Sequence, residues 1–579
     1  MVVDGNHTVQ YGPSSVVEDA GVNDDFKHTP INDHKIIEVE KSQYQKINWF
    51  KRNSSFIINL TVLTVITAYF AWATYYYIKH TGYDFEIFNS TTCDGYGFLV
   101  ILYGLYVYGV LYSYVGKPII VPLVYKNVWV PVTNLLKSIR FGQIIFYASL
   151  LVATVAYLVL DTRDNRNRLV PISGLCVFLL IGYASSSNRS MIPWRTVVWG
   201  LVLQFVFGLL TIRWDVGRNI LQCLGDKVNI LTGYAFDGAA FTYGDDLIYN
   251  QGVFAFKALS TIYLLSLLVN ILYYYGIMQT AVGAIGNFLQ WIMGTSICES
   301  VNSAANIFLG QTEAPLLIAP YLKEVKARVV PQGPVNQPTP PVLGSVLAAY
   351  VSFGARAQDL ITSSIMSAPA ALCFSKLTYP ETEEVRVHKK NIHALEIEYD
   401  SVLDAASKGA VEAFKLVTGI IASVIAFLAF IYVVNGVLGW LGGLVGFVDG
   451  DEVWSLEAIV GKIFIPISYI MGVPWEECEN VGKLIGIKTM VNEFVAFQRM
   501  QVMIKSGELS ERTKVIATYA ICGFSNPGSI GIQLSALGAL APSKREAITR
   551  LVFRAFWGGA VVCFMTACIA GALMPDNTI

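Results

Sequence analysis

Asn306-Ile-Phe-Leu-Gly-Gln-Thr-Glu313-Ala-Pro-Leu-Leu317 decides how this chain is read. It lies in a stretch between Lys257 and Lys323 that is almost free of charge yet holds two carboxylates, Glu299 and Glu313. A third, Glu493, sits in Val491-Asn-Glu-Phe-Val-Ala-Phe497, and a polar cluster, Phe524-Ser-Asn526-Pro-Gly-Ser529, interrupts another uncharged run. An ionisable group at membrane depth costs several kcal/mol, so by default it faces a cavity and marks a substrate or ion path. Such residues are expected in a transporter.

Composition supports a membrane setting. Of 579 residues 54% are hydrophobic and 14% charged, against roughly 25% charged in an ordinary soluble domain. Mean hydropathy is +0.50. Uncharged apolar runs of the length that crosses a hydrocarbon core fall at 55–78, 95–116, 141–160, 169–188, 196–212, 258 onward, 416–448, 515–543 and 555–575. The expected fold is therefore an all-α polytopic membrane protein. A net charge of −1 gives no reason to expect nucleic acid as a partner. The nine cysteines form no CxxC pair and read as small packing residues. There is no HExxH and no GxxxxGK[ST], so neither a zincin site nor an ATP motor is offered. No cofactor is expected; if a solute is concentrated, an ion gradient drives it.

Three zones follow along the chain. Residues 1–54 read as a disordered cytosolic tail, since Lys46, Lys51 and Arg52 precede the first span. Residues 55–215 hold about five plain spans. Residues 216–579 hold interrupted segments: 258–298 is uncharged for 41 residues, enough for one span plus a further limb. Glycine and proline punctuate 280–322 and 455–478, and each leads to a buried Glu, at 313 and at 493. Backbone breaks at membrane depth are tolerated where they are buried in protein or line water. Paired interruptions in two halves point to the site of a secondary transporter with inverted repeats. Two re-entrant hairpins are therefore expected, at about 280–322 and 455–478. The segment 385–413 has apolar residues at helical spacing and reads as an amphipathic surface helix. Asn89-Ser-Thr is a glycosylation acceptor if its loop is outside.

Four stretches carry a resemblance to a known family. They are Gly294-Thr-Ser-Ile-Cys-Glu-Ser300 leading into 306–321, Gly344-Ser-Val-Leu-Ala-Ala-Tyr-Val-Ser-Phe-Gly354, Met366-Ser-Ala-Pro-Ala370 through Pro380-Glu-Thr-Glu383, and a C-terminal pair. That pair is Gly486-Ile-Lys488-x3-Asn492-Glu-Phe-Val-Ala-Phe497 and Cys522-Gly-Phe-Ser-Asn-Pro-Gly-Ser-Ile530. Together they resemble the concentrative nucleoside transporter family over about residues 95–575, in its eukaryotic form. The resemblance implies a midplane site between two re-entrant hairpins and broken helices, extra N-terminal spans, a homotrimer, and cation-coupled import of nucleosides, with the chain embedded in the lipid of the plasma membrane.

A nucleoside needs several donors and acceptors in a dry site, because unpaired polar groups there are costly. Gln311 offers an amide, Thr312 a hydroxyl and Glu313 a strong acceptor; by resemblance these three approach the base. Glu493 can accept from two ribose hydroxyls, and by resemblance Glu493, Asn526 and Ser529 hold the ribose while Phe524 supplies an apolar wall. The plainer readings are helix-to-helix hydrogen bonds for Gln311, Thr312, Asn526 and Ser529, and an ion pair with Lys488 for a carboxylate. Glu299 matches no ligand contact and reads as structural or gating. For the ion, Asn306, the Leu309 carbonyl, Ser345 and the Val346 carbonyl match the family's sodium positions, and hard cations take oxygen ligands. A proton carried on Glu313 is the alternative. Gly310 and Ser345 resemble the broadly selective branch, accepting purines and pyrimidines. One departure stands out. Five prolines from Pro331 to Pro341 forbid a helix where the family has one, so 323–341 is expected not to be the native form of this helix. The other readings are a nucleoside-permeable channel or an inactive variant.

Overall fold

In a computed structural model, the structure describes residues 61–80, 95–112, 142–163, 165–309, 346–380, 399–447, 453–540 and 545–574, with the single residues 93, 314 and 542. The glycosylation triplet at Asn89, the proline-rich stretch 323–341 and residues 385–398 of the expected surface helix lie outside them. Every regular element described is helical. The chain divides into two compact units, Met1–Gln143 and Ile144–Ile579.

In the first unit, α1 (61–80) and α2 (Gly95–Leu111) pack through aromatic rings. Phe70 stacks on Tyr103 at 4.1 Å, Tyr77 on Tyr96 at 4.4 Å, and the Tyr96 hydroxyl donates to Thr74 at 3.0 Å.

The second unit opens with α3 (Gly142–Asp161), α4 (Val170–Ala184), α5 (Trp194–Gly208) and α6 (Asp215–Tyr243). Next come α7 (Ser260–Tyr274) and α8 (Ile277–Met293), which take up most of the uncharged run 258–298. They bend by 81° at Tyr275–Gly276, where Gly276 adopts φ 73°. A side chain there would be strained; glycine is not. A second such residue, Gly294 at φ 75°, ends α8 and turns the chain into α9 (Ile297–Phe308). Helices α8 and α9 then pack closely: a Cβ at Gly286 would stand 2.8 Å from the Val301 side chain.

Short α10 (Leu347–Ser352) precedes α11 (Ala357–Thr378), the most deeply buried span, with 94% of its apolar window inside the protein. The reason is side-chain size. Helix α11 is rich in Ala and Ser, and its neighbours meet it with glycine: a Cβ at Gly182 would clash with Phe374 and Leu377, one at Gly200 with Cys373. Without a hydrophobic drive between helices in lipid, small residues that let backbones approach are what hold them. No apolar run was expected at 357–378, because Asp359, Lys376 and its hydroxyls lower its hydropathy to 1.3.

Helix α12 (Val402–Leu444) begins at Ser401, whose side chain accepts from Asp404 N–H, and runs for 43 residues, about 65 Å at 1.5 Å per residue. This corrects the surface-helix expectation: 402–413 is the polar start of α12, continuous with its apolar remainder. Then follow α13 (Leu456–Ile470), α14 (Cys478–Met490), α15 (Glu493–Lys505), α16 (Glu511–Ile521), α17 (Pro527–Leu540) and α18 (Arg545–Leu573). The run 515–543 is thus no single span; it breaks between α16 and α17 at Cys522–Asn526. Across 455–478 lie α13, its turn at Pro474 and the first residue of α14, which runs on to Met490.

Candidate functional site

Two helix starts meet in the interior. Helix α14 stops at Met490, and after Val491 the extended Asn492 caps α15, its side chain accepting from Val495 N–H at 3.0 Å. Asn is among the best N-cap residues because its oxygen satisfies an otherwise orphaned donor. Glu493 becomes the first residue of α15, where unpaired N–H groups favour a carboxylate. Asn526 repeats the device at α17: its Oδ1 accepts from Ser529 N–H at 2.9 Å, and Pro527 follows, a residue suited to a first turn.

With its oxygen committed to the cap, the Asn526 amide turns its Nδ2 outward and donates to Glu493 Oε2 at 2.7 Å. The other carboxylate oxygen, Oε1, accepts from the Tyr350 hydroxyl at 3.3 Å. Tyr350 comes from α10 and is held by rings, 4.8 Å from Phe497 and 5.1 Å from Phe494. Glu493, Asn526, Ser529 and Tyr350 are all buried. A carboxylate offers about four acceptor positions; two are used here, so two further donors can be received.

Of the expected ribose group, the structure therefore brings Glu493, Asn526 and Ser529 together. Ser529 enters through its backbone N–H. Phe524 is half-buried and packs against the main core. The hydrogen bonds of Glu493 run to Tyr350 and Asn526, while the fully buried Lys488 Nζ donates to Ser525 Oγ, beside the cap. Asn306 is buried in the last turn of α9, and Leu309 leaves that helix in an extended conformation. The last carbonyls of a helix lack internal partners and carry its negative end. Val346 starts α10, and its carbonyl accepts from the N–H groups of Ala349 and Tyr350. Leu309 and Val346 fall in separate packing clusters. Gly310, Gln311, Thr312, Glu313 and Ser345 lie outside the described residues.

Sequence reasoning did not single out Tyr350 as a partner of Glu493. The available signal was its position, a phenol in Leu347-Ala-Ala-Tyr350, where a membrane helix has little use for a hydroxyl without a partner. Glu299 acts away from this cluster. It closes a capping box with Ser296 at the start of α9 and pairs with Lys376 of α11 at 2.6 Å, both side chains under 5% exposed.

Models for the Na+ dependent nucleoside transporter match the chain over 359–571 for the C-terminal part and 173–246 for the N-terminal part, and a nucleoside recognition (gate) model matches 255–378. Sodium/nucleoside cotransporter 1 of Oryctolagus cuniculus is 40% identical over 461 residues, 76% of this chain and 69% of the relative. The chain belongs to the sodium-dependent nucleoside transporter family. Sodium/nucleoside cotransporter 2 of Rattus norvegicus is 40% identical over 443 residues, 74% of this transporter-family chain and 66% of the relative. The chain thus spans about two thirds of the length of these curated relatives. Among solved structures, CNTnw in an inward-facing substrate-bound state is similar, with a TM-score of 0.65 and 35% identity over 70% of this chain and 97% of that one. A CNTnw variant in an outward-facing state gives the same TM-score at 36% identity. This family member is accordingly an integral membrane protein with an all-α polytopic fold.

Proposed function

We propose that this chain imports nucleosides by symport with sodium ions. The observation that carries the reading is Glu493, a buried carboxylate fixed by Tyr350 and Asn526 at the meeting of two helix starts, with acceptor capacity left for a pair of vicinal hydroxyls. Glu493, Asn526 and Ser529 take the ribose and Phe524 walls it. Gln311, Thr312 and Glu313 take the base, with Gly310 and Ser345 leaving room for purines. Sodium binds among Asn306, Leu309, Ser345 and Val346; the last carbonyls of α9, which lack acceptor duty within the helix, favour a cation there. Residues 216–579 carry transport, and 55–215 supply N-terminal spans. The assembly is a homotrimer in the plasma membrane, with residues 1–54 on the cytosolic side.

The test is uptake of radiolabelled uridine and adenosine by cells expressing the chain, in sodium, in choline and at low external pH. Accumulation above the external concentration that needs sodium is expected. Acid-driven uptake in choline would move the coupling to protons, and a large non-saturating conductance would replace the carrier with a channel. Gly310→Ser should lower adenosine uptake more than uridine uptake; an unchanged ratio removes the basis for broad selectivity. The proline-rich 323–341 adds a condition. Sequencing the transcript across it should give a different dominant form, and full uptake by a protein containing it would overturn that expectation.

A further inference from the structure

We infer that the second unit carries a binding site for an anionic phospholipid, with an acyl chain between α3, α4, α5 and α18 and the phosphate against the arginines at its end. The four helices enclose an apolar cavity of about 310 Å³, lined among others by Val155, Leu158, Leu175, Leu201, Phe205 and Ala572. It lies beside the last turns of α3 and α18 and the first turns of α4, and so ends at the loop joining α3 to α4. Val155 is 51% exposed, which leaves the groove open on one side. In a membrane protein an open apolar slot between spans is filled by hydrocarbon.

The end of the slot selects the headgroup. Arg168 is buried beneath the loop, pairs with Asp161 at 2.6 Å, and donates to the carbonyls of Ala572 and Leu573 at the end of α18. Its Nε has no hydrogen-bond partner. Arg213 also pairs with Asp161. Arg163 and Arg166 stand exposed on the same loop. In sequence the loop and Arg213 set four arginines against two aspartates, Asp161 and Asp164, an excess of two positive charges, and Arg168 and Arg213 are the ones paired with Asp161. Guanidinium groups bind phosphate oxygens by paired hydrogen bonds, and basic pockets between spans are where anionic headgroups settle. Chain and charge together fit a phospholipid; neither a free anion nor a neutral lipid would use both.

Native mass spectrometry of the purified full chain, with phosphatidylglycerol and phosphatidylcholine of the same acyl chains, tests this. Preferential retention of phosphatidylglycerol is expected. Arg163→Gln with Arg166→Gln, on an exposed loop, should lower that retention at least fivefold and leave phosphatidylcholine unchanged. Val155→Trp, filling the groove from its open side, should lower retention of both lipids at least fivefold with an unchanged size-exclusion profile. Equal retention of the two lipids by the parent chain would overturn the site, as would retention unaffected by the arginine pair. So would Val155→Cys giving disulfide-linked dimers in native membranes, which would mean a second copy covers this face.

Discussion

Glu493 and Tyr350 make the first testable pair. Glu493→Gln keeps the shape but exchanges an acceptor oxygen for a donor, and a hydrogen bond to a charged group contributes about 1.5–3 kcal/mol. Uridine affinity should fall at least tenfold, with 2′,3′-dideoxy analogues hurt less; equal losses would remove the ribose role. Tyr350→Phe keeps the rings stacked on Phe497 and removes only the hydroxyl donated to Glu493. A several-fold loss of uridine affinity at normal expression is expected from binding assays, and no loss would mean that the contact does not position the carboxylate. The sequence made Glu493 and Asn526 legible because a charge or an amide in an apolar run needs a reason. Tyr350 was not legible in that way: in a chain with 31 tyrosines, one more carries no signal until folding aims it. Nor could spacing say that Asn526 spends its oxygen on a helix cap, which is what leaves its amide to hold Glu493.

Between elements, glycine sets the distances. A Cβ on Gly482 of α14 would stand 2.5 Å from the Gly461 carbonyl oxygen of α13, whereas one on Gly419 of α12 would meet nothing within 4 Å. Gly482→Ala should therefore destabilise the detergent-purified protein by about 1–3 kcal/mol, the usual cost of overpacking, and Gly419→Ala should leave its thermal transition in place. Equal transitions for both would show that α13 and α14 can separate freely. Hydropathy made the plain spans legible, α4 and α5 among them. It misjudged three elements for physical reasons. Helix α11 is too polar to stand out because protein surrounds it; 515–543 is uncharged and apolar on average yet breaks at its polar cluster, since Asn526 and Pro527 start a new helix; and the charged turns at 402–413 belong to α12, because nothing between them and its apolar part stops a helix.

For the whole molecule, the pair formed by Glu299 and Lys376 joins segments 77 residues apart in sequence. Removing one partner strands a buried charge, at about 3–5 kcal/mol, whereas replacing both with apolar groups can be close to neutral. Lys376→Met should thus lower thermal stability more than Lys376→Met combined with Glu299→Leu; a double variant less stable than the single would mean that Glu299 matters chiefly through its capping box at Ser296. The burial of α11 has a further consequence, for synthesis at the ribosome. Among the described residues, of the five single helices long and apolar enough to cross a membrane it is the least hydrophobic, 1.3 against 2.6 for α12. With so low a hydropathy, and with Asp359 in its first turn and Lys376 in its last, α11 enters the bilayer with little margin on its own. Its counter-charge and its glycine-bearing neighbours α4, α5 and α6 are all translated before it. The central helix is therefore kept in the membrane by helices already inserted, and membrane integration and folding of this chain are one event there.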